Sequence, residues 1–200
     1  MNTSEIQSVF SVFRQILPVP DSSLMRIVSN ASLLQIPKKT RLLELGQVCN
    51  HMYFVIKGCL RLYYQKGELE INCFFFHENL FCTAFGSFMM RRKSNQILET
   101  LEDTVMLAIT FDELQQLYID VPEMNVLVRK ILEERYTNAH DVISSFVLDN
   151  PEQRYENFKQ KYPALINRIA EQHIASYLGI TPKSLSRLKK RVYAKNKKVT

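Results

Sequence analysis

Glu171-Gln172-His173-Ile174-Ala175-Ser176-Tyr177-Leu178-Gly179-Ile180-Thr181-Pro182-Lys183-Ser184-Leu185-Ser186-Arg187-Leu188-Lys189-Lys190 decides the reading of this 200-residue chain. Ile174, Ala175 and Leu178 recur at helical spacing, and Gly179 follows where a left-handed residue ends a helix at no steric cost. Thr181 is a good N-cap, and Pro182 suits the first helical position, where its missing N–H leaves no bond unmade. Leu185 and Leu188 form the inner edge of a second helix, with Lys183, Ser184, Arg187 and Lys190 on its other faces. Small Ala175 lets the two helices approach. The pattern is a helix-turn-helix, whose second helix enters the major groove in DNA readers; the plainer reading is a helical hairpin with a solvated basic face.

The charge distribution favours the first reading. From residue 181 to 200 there are eight Lys or Arg and no Asp or Glu. A solvated helix interleaves both signs, whereas a one-sign block suits a polyanion. Residues 151–200 carry twelve Lys and Arg against three Asp and Glu, and residues 1–150 carry fourteen against seventeen. The basicity therefore belongs to the C-terminal quarter, as in a nucleic-acid-binding module attached to a slightly acidic body.

Two hundred residues, 46% of them hydrophobic, suffice for one major domain and a small appendage. The sequence contains no apolar run of membrane-spanning length and no basic-plus-apolar leader, so a cytoplasmic protein that meets no membrane is expected. Cys49, Cys59, Cys73 and Cys82 lie on what read as different strands without a C-x-x-C pair. They are expected to be free thiols.

Working outward, residues 4–17 place Ile6, Val9, Phe10, Phe13, Ile16 and Leu17 on one helical face, capped by Thr3 or Ser4 and stopped by Pro18. A short helix is expected over 22–30. The period then changes: β-rich runs at 33–36, 41–44, 52–56, 60–64, 70–75, 96–101 and 105–109 are separated by turn residues such as Gly46, Gly58 and Gly67, which predicts hairpins closing into a roll. Residues 78–93 break the alternation with a helical turn or two, a candidate ligand loop. Thr110 and Glu113 form a capping box. One long helix is predicted from Pro122 to Leu148, with Leu132, Tyr136, Ala139, Ile143 and Phe146 in a near-heptad stripe. Such a helix either packs on its own roll or pairs with its twin, and the length of the stripe favours the twin. Asp149-Asn150-Pro151 breaks it, dividing the chain into residues 1–148, with a roll over 32–110, and a head over 149–200. The head adds a helix at 152–161 and a short supporting segment at 164–168.

The expected fold is therefore α+β: an N-terminal antiparallel β-roll, jelly-roll-like (a double-stranded β-helix) and flanked by helices, then a long dimerisation helix, then a helix-turn-helix domain. That order, with the stretch from Ile174 to Leu188, resembles the Crp/Fnr family of bacterial transcription regulators. Weaker matches are Gly46 after Leu43-Glu44-Leu45, Tyr53-Phe54-Val55-Ile56-Lys57-Gly58, and Arg61-Leu62, which are similar to the cyclic-nucleotide-binding roll. The resemblance implies a homodimer, a near-palindromic double-stranded DNA operator and RNA polymerase as a further partner. It puts base contacts at Pro182, Lys183 and Arg187. Arg187 can grip guanine O6 and N7 with its planar fork, whereas Pro182 cannot hydrogen-bond a base. Lys183, Lys189, Lys190 and Arg191, with Thr181 and Ser184, are expected on phosphates.

At the ligand site the pattern departs from the family. Glu78 and Ser94 match the ribose-binding Glu and the phosphate-binding hydroxyl, but the loop glycines are missing and Lys93 stands where Arg is expected. Arg91 or Arg92 could supply the fork after a slip of register. The expectation is a retained roll with a different small-molecule effector or none, rather than a cyclic nucleotide. The cysteines are too scattered for an iron–sulfur cluster, and His77 is the one histidine worth testing as a haem or metal ligand. No catalytic constellation is legible, so an enzyme is not expected. The competing class is a sensor whose basic tail docks a protein partner.

Overall fold

A computed structural model describes residues 3–196, so Lys197 and Lys198 of the basic block, and the cap assigned to the Thr3 and Ser4 side chains, lie outside the described residues. Helices α1 (Thr3–Ile16) and α2 (Asp21–Ser29) lead into strands β1 (Ser32–Ile36), β2 (Arg41–Leu43), β3 (His51–Lys57), β4 (Leu60–Lys66), β5 (Leu69–Phe76) and β6 (Phe81–Cys82). A short α3 (Phe85–Met90) precedes β7 (Gln96–Thr100) and β8 (Thr104–Thr110). The remainder is helical: α4 (Phe111–Asp120), α5 (Glu123–Leu148), α6 (Pro151–Lys161), α7 (Glu171–Tyr177) and α8 (Pro182–Asn196).

The strands form two four-stranded antiparallel sheets, β1-β8-β3-β6 and β2-β7-β4-β5, facing each other as a roll. The seven expected strands are present, and the two-residue β6 pairing with β3 is an addition that periodicity is too short to signal. The thiols are free, but only Cys73 and Cys82 lie on strands. The predicted helical insertion is α3, and the predicted capping box forms at Thr110, whose side chain and that of Glu113 each accept the other's backbone N–H. The short supporting segment expected at 164–168 is a run of successive turns.

The main core lies between the sheets and beneath the helices. Val9, Phe10 and Phe13 of α1 are buried there, Phe13 meeting Phe81 edge-on at 5.4 Å, so α1 is a lid on the roll. Each such side chain contributes about 1.5–3 kcal/mol by leaving water. Met124, Leu127, Val128 and Ile131 bury the first half of α5 against the same core.

A second core joins the roll to the C-terminal helices. In the β4–β5 ladder Leu62 faces Phe74 and Tyr63 faces Asn72, so Cys73 is an extra, bulged residue. Beyond the bulge, alternation sends Phe74 and Phe76 to a cavity under α5 and Phe75 to the opposite face, where it meets Phe158 and Tyr177 at 6.1 and 5.5 Å. Ile174, Ala175, Leu178, Leu185, Leu188 and Val192 also belong to this cluster. The helical head is thus packed on the outer face of the roll.

Candidate functional site

The helix-turn-helix is closed by local bonds. Ile180 N–H donates to Ala175 O at 3.0 Å and Gly179 N–H to Ser176 O at 3.1 Å, a Schellman closure of α7 with Gly179 at φ +68°. A Cβ on Gly179 would lie 2.7 Å from Phe146 Cε1, so the end of α5 presses on this turn. Thr181 Oγ1 accepts the Ser184 N–H at 3.1 Å and caps α8. Leu185 and Leu188 are buried, which leaves Lys183, Ser184, Arg187, Lys190 and Arg191 exposed on one helix without an acidic residue. The Lys189 ammonium instead pairs with Glu171 Oε1 at 2.5 Å, so its expected phosphate contact has a competitor. Ser184 Oγ is likewise engaged with Thr181 Oγ1 at 2.9 Å.

The stripe on α5 divides in three. Tyr136 and Ile143 are 76% and 65% exposed, as a pairing face requires, and Val147 and Leu148 extend the exposed apolar surface. Leu132 and Ala139 are half-buried on the cavity wall. Phe146 is a contact of the head, touching the Gly179 turn and lying 4.8 Å beneath the Arg154 guanidinium.

The five candidate ligand residues do not converge. Glu78 accepts two bonds from Arg168, at 2.9 and 2.8 Å, and one from Gly58 N–H at 2.8 Å. Arg91, at φ +50°, donates to Cys49 O at 2.7 Å and to Asn50 Oδ1 at 2.5 Å. Arg92 is exposed, Lys93 bridges Val48 through its backbone, and the buried Ser94 hydroxyl is turned onto the Gln96 backbone. None of the five lines the cavity beneath α5. A ribose and a cyclic phosphate would find neither a free carboxylate nor an anion cradle there, so these residues do not fit a cyclic nucleotide.

That cavity, about 440 Å³, is walled by apolar side chains such as Met52, Phe74, Phe76, Phe81 and Ile131, with the guanidinium of Arg135 among them. Arg135 donates to Phe81 O at 2.5 Å and stands 4.9 Å over the Phe76 ring. Burial lowers its pKa from the ordinary value. His77 packs edge-on to Tyr162 at 6.4 Å, and burial lowers its pKa.

Head and roll are held together by polar bonds whose partners are far apart in sequence. Arg168 clasps Glu78 and also Glu102, the latter at 3.0 and 2.7 Å. Burial pushes the Glu78 carboxyl up, but Arg168 and the Gly58 N–H outweigh it and hold the pKa at about 2. The Arg168 pKa is raised by its bonds to Glu102 and Glu78. Gly58 is needed here, since at φ +108° a Cβ would lie 2.5 Å from Thr104 Oγ1. Arg61 is buried, pairs with Glu70 and Glu99 at 2.5 Å each, and reaches His173 Nδ1 of α7 at 2.9 Å. A guanidinium only donates, so Nδ1 accepts and His173 is the neutral Nε2–H tautomer; burial and Arg61 both lower its pKa. Ser176 Oγ accepts Asn72 N–H at 3.0 Å and donates to Glu70 O at 2.5 Å, closing the open edge of β5. Arg135, Arg168, His173 and Ser176 carry no local signal for these roles, and Arg61 is legible only as a strand residue.

Comparison with known proteins places this arrangement. No protein-family model matches the chain. The transcriptional regulatory protein btr of Bordetella pertussis is 23% identical over 168 residues, 78% of this chain and 68% of that protein. Among solved structures, the c-di-GMP-responsive global regulator CLP of Xanthomonas campestris matches with a TM-score of 0.72 at 18% identity, over 88% of this chain and 93% of that one. A protein of Eubacterium rectale described as a transcriptional regulator of the Crp/Fnr family matches with a TM-score of 0.70 at 16% identity, over 94% and 88%. The chain has the fold of the Crp/Fnr regulators, a cyclic-nucleotide-binding-type roll followed by a helical C-terminal domain, and regulators of that type are among its structural neighbours. Among the described residues, no helix is long and apolar enough to cross a membrane.

Proposed function

We propose that the chain is a homodimeric, sequence-specific DNA-binding transcription regulator and not an enzyme. Residues 1–148 serve as the sensor and 149–200 as the reading head. The observation that carries this reading is the exposed face of α8, where Lys183, Arg187, Lys190 and Arg191 lie without an acidic residue, presented by a capped helix on a Schellman turn. Arg187 reads a guanine edge, while Lys183, Lys190 and Arg191 hold phosphates and fix register. Tyr136 and Ile143, exposed on α5, pair with their twins and set two recognition helices about 34 Å apart on a near-palindromic site. RNA polymerase is the machinery whose access to the promoter such a dimer controls.

A gel-shift titration over salt tests the reading. Affinity must fall steeply with log salt, because each phosphate contact releases counterions. Salt-independent retention, or no retention on any duplex with binding to an acidic protein instead, identifies a protein-docking tail and overturns it.

A further inference from the structure

The cavity beneath α5 has a composition that selects a class of ligand. Its volume of about 440 Å³ lies within the roughly 300–1,000 Å³ of small-molecule sites. Phe74, Phe76 and Phe81 of the roll face Ile131, Leu132 and Ala139 of α5 across it. Four polar side chains reach the wall: Tyr136 is largely exposed, and two others are already engaged, Thr83 donating to His51 O at 2.9 Å and Gln96 Nε2 to Cys73 Sγ at 3.4 Å.

Arg135 differs from both. It has five N–H donors, and within the described residues its polar partner is Phe81 O, with no carboxylate in ion-pair contact. A guanidinium among aromatic rings without a carboxylate in direct contact is costly, and a bidentate anion is the partner its planar fork fits best. We propose that this cavity binds a small molecule with an apolar body and one acidic group, with Arg135 as the anchor of that group. A cyclic nucleotide fits this cavity poorly, because its ribose hydroxyls and purine edge would be desolvated against a wall made mostly of apolar side chains. The ligand would also touch Tyr136 and Ala139 on α5, the helix that carries the proposed dimer stripe. The inference does not depend on DNA binding and is tested without DNA.

The test is calorimetric titration of the full chain with decanoate, with the neutral decan-1-ol and with cyclic AMP. Decanoate should bind once per chain, about tenfold to a hundredfold more tightly than the alcohol, as a charge-assisted bond to a desolvated guanidinium requires, and cyclic AMP should not displace it. Arg135→Met should abolish the preference for the acid while retaining the alcohol. The chain has no tryptophan, so Leu132→Trp places a lone fluorophore on the cavity wall whose emission reports occupancy even if the Arg135 variant fails to fold. Equal affinity for acid and alcohol, displacement by cyclic AMP, or decanoate binding that leaves the tryptophan emission unchanged each overturns the proposal.

Discussion

Glu78→Gln isolates the charge that ties the head to the roll. The wild-type carboxyl is held at about 2 against an ordinary value of 4.5. At about 1.36 kcal/mol per unit, the full shift corresponds to about 3 kcal/mol. The side chain is 31% exposed, so solvent screening reduces this to about 1–2 kcal/mol. The sign follows from linkage: a carboxyl depressed in the folded state contributes stability above its unfolded pKa and loses it as pH falls through its folded value. Glutamine keeps an oxygen for Gly58 N–H but carries no charge for Arg168. The variant should therefore be less stable by about 1–2 kcal/mol at pH 7, and the difference should shrink between pH 4.5 and 2. Urea unfolding of both proteins at neutral pH and near the lower end of that window measures it. A gap that is absent at neutral pH, or that does not narrow on acidification, would refute a charge-based clasp.

Three further outcomes are expected. Gly179→Ala forces a non-glycine residue to φ +68° against Phe146 and should cost about 1–3 kcal/mol in thermal or urea unfolding; adding Phe146→Ala should relieve the contact but not the backbone strain. Ile143→Glu or Tyr136→Glu should convert a dimer to a monomer in sedimentation velocity and weaken operator binding, and an unchanged mass excludes α5 as the pairing helix. Arg187→Ala should remove about 1–3 kcal/mol of discrimination at one base pair per half-site, whereas Lys190→Ala should weaken all duplexes alike and lower the salt slope by about one; identical selectivity profiles for the two would remove Arg187 from the reading role.

Much of the fold was legible because its signals are local. Strand alternation, the Thr110 capping box, the Gly179 turn and the Thr181 cap each depend on side chains within a few residues, where spacing alone decides which groups can meet. The proposed DNA-reading face is legible for the same reason: buried Leu185 and Leu188 at helical spacing dictate which residues of α8 stay exposed. The ligand loop was not legible. Glu78 has the residue type of a ribose ligand, yet its partner is Arg168, ninety positions away, and no local pattern marks which of two roles a carboxylate takes. Phe146 likewise reads as part of a stripe, and its contact with Gly179 depends on how the head folds back.

By itself, then, the amino-acid order determined most of the elements, the caps at Thr110 and Thr181, the basic face of α8 and the resemblance to a family of regulators. Tertiary structure alone decided that the head sits on the outer face of β5, that Arg61 meets His173 across 112 positions, and that Arg135, among the described residues, lies in an apolar cavity without an ion-paired carboxylate. The physical reason is the range over which each choice is made. Backbone geometry sets a helix or a turn within one or two turns of chain, whereas desolvation and ion pairing depend on which distant groups share a low-dielectric space.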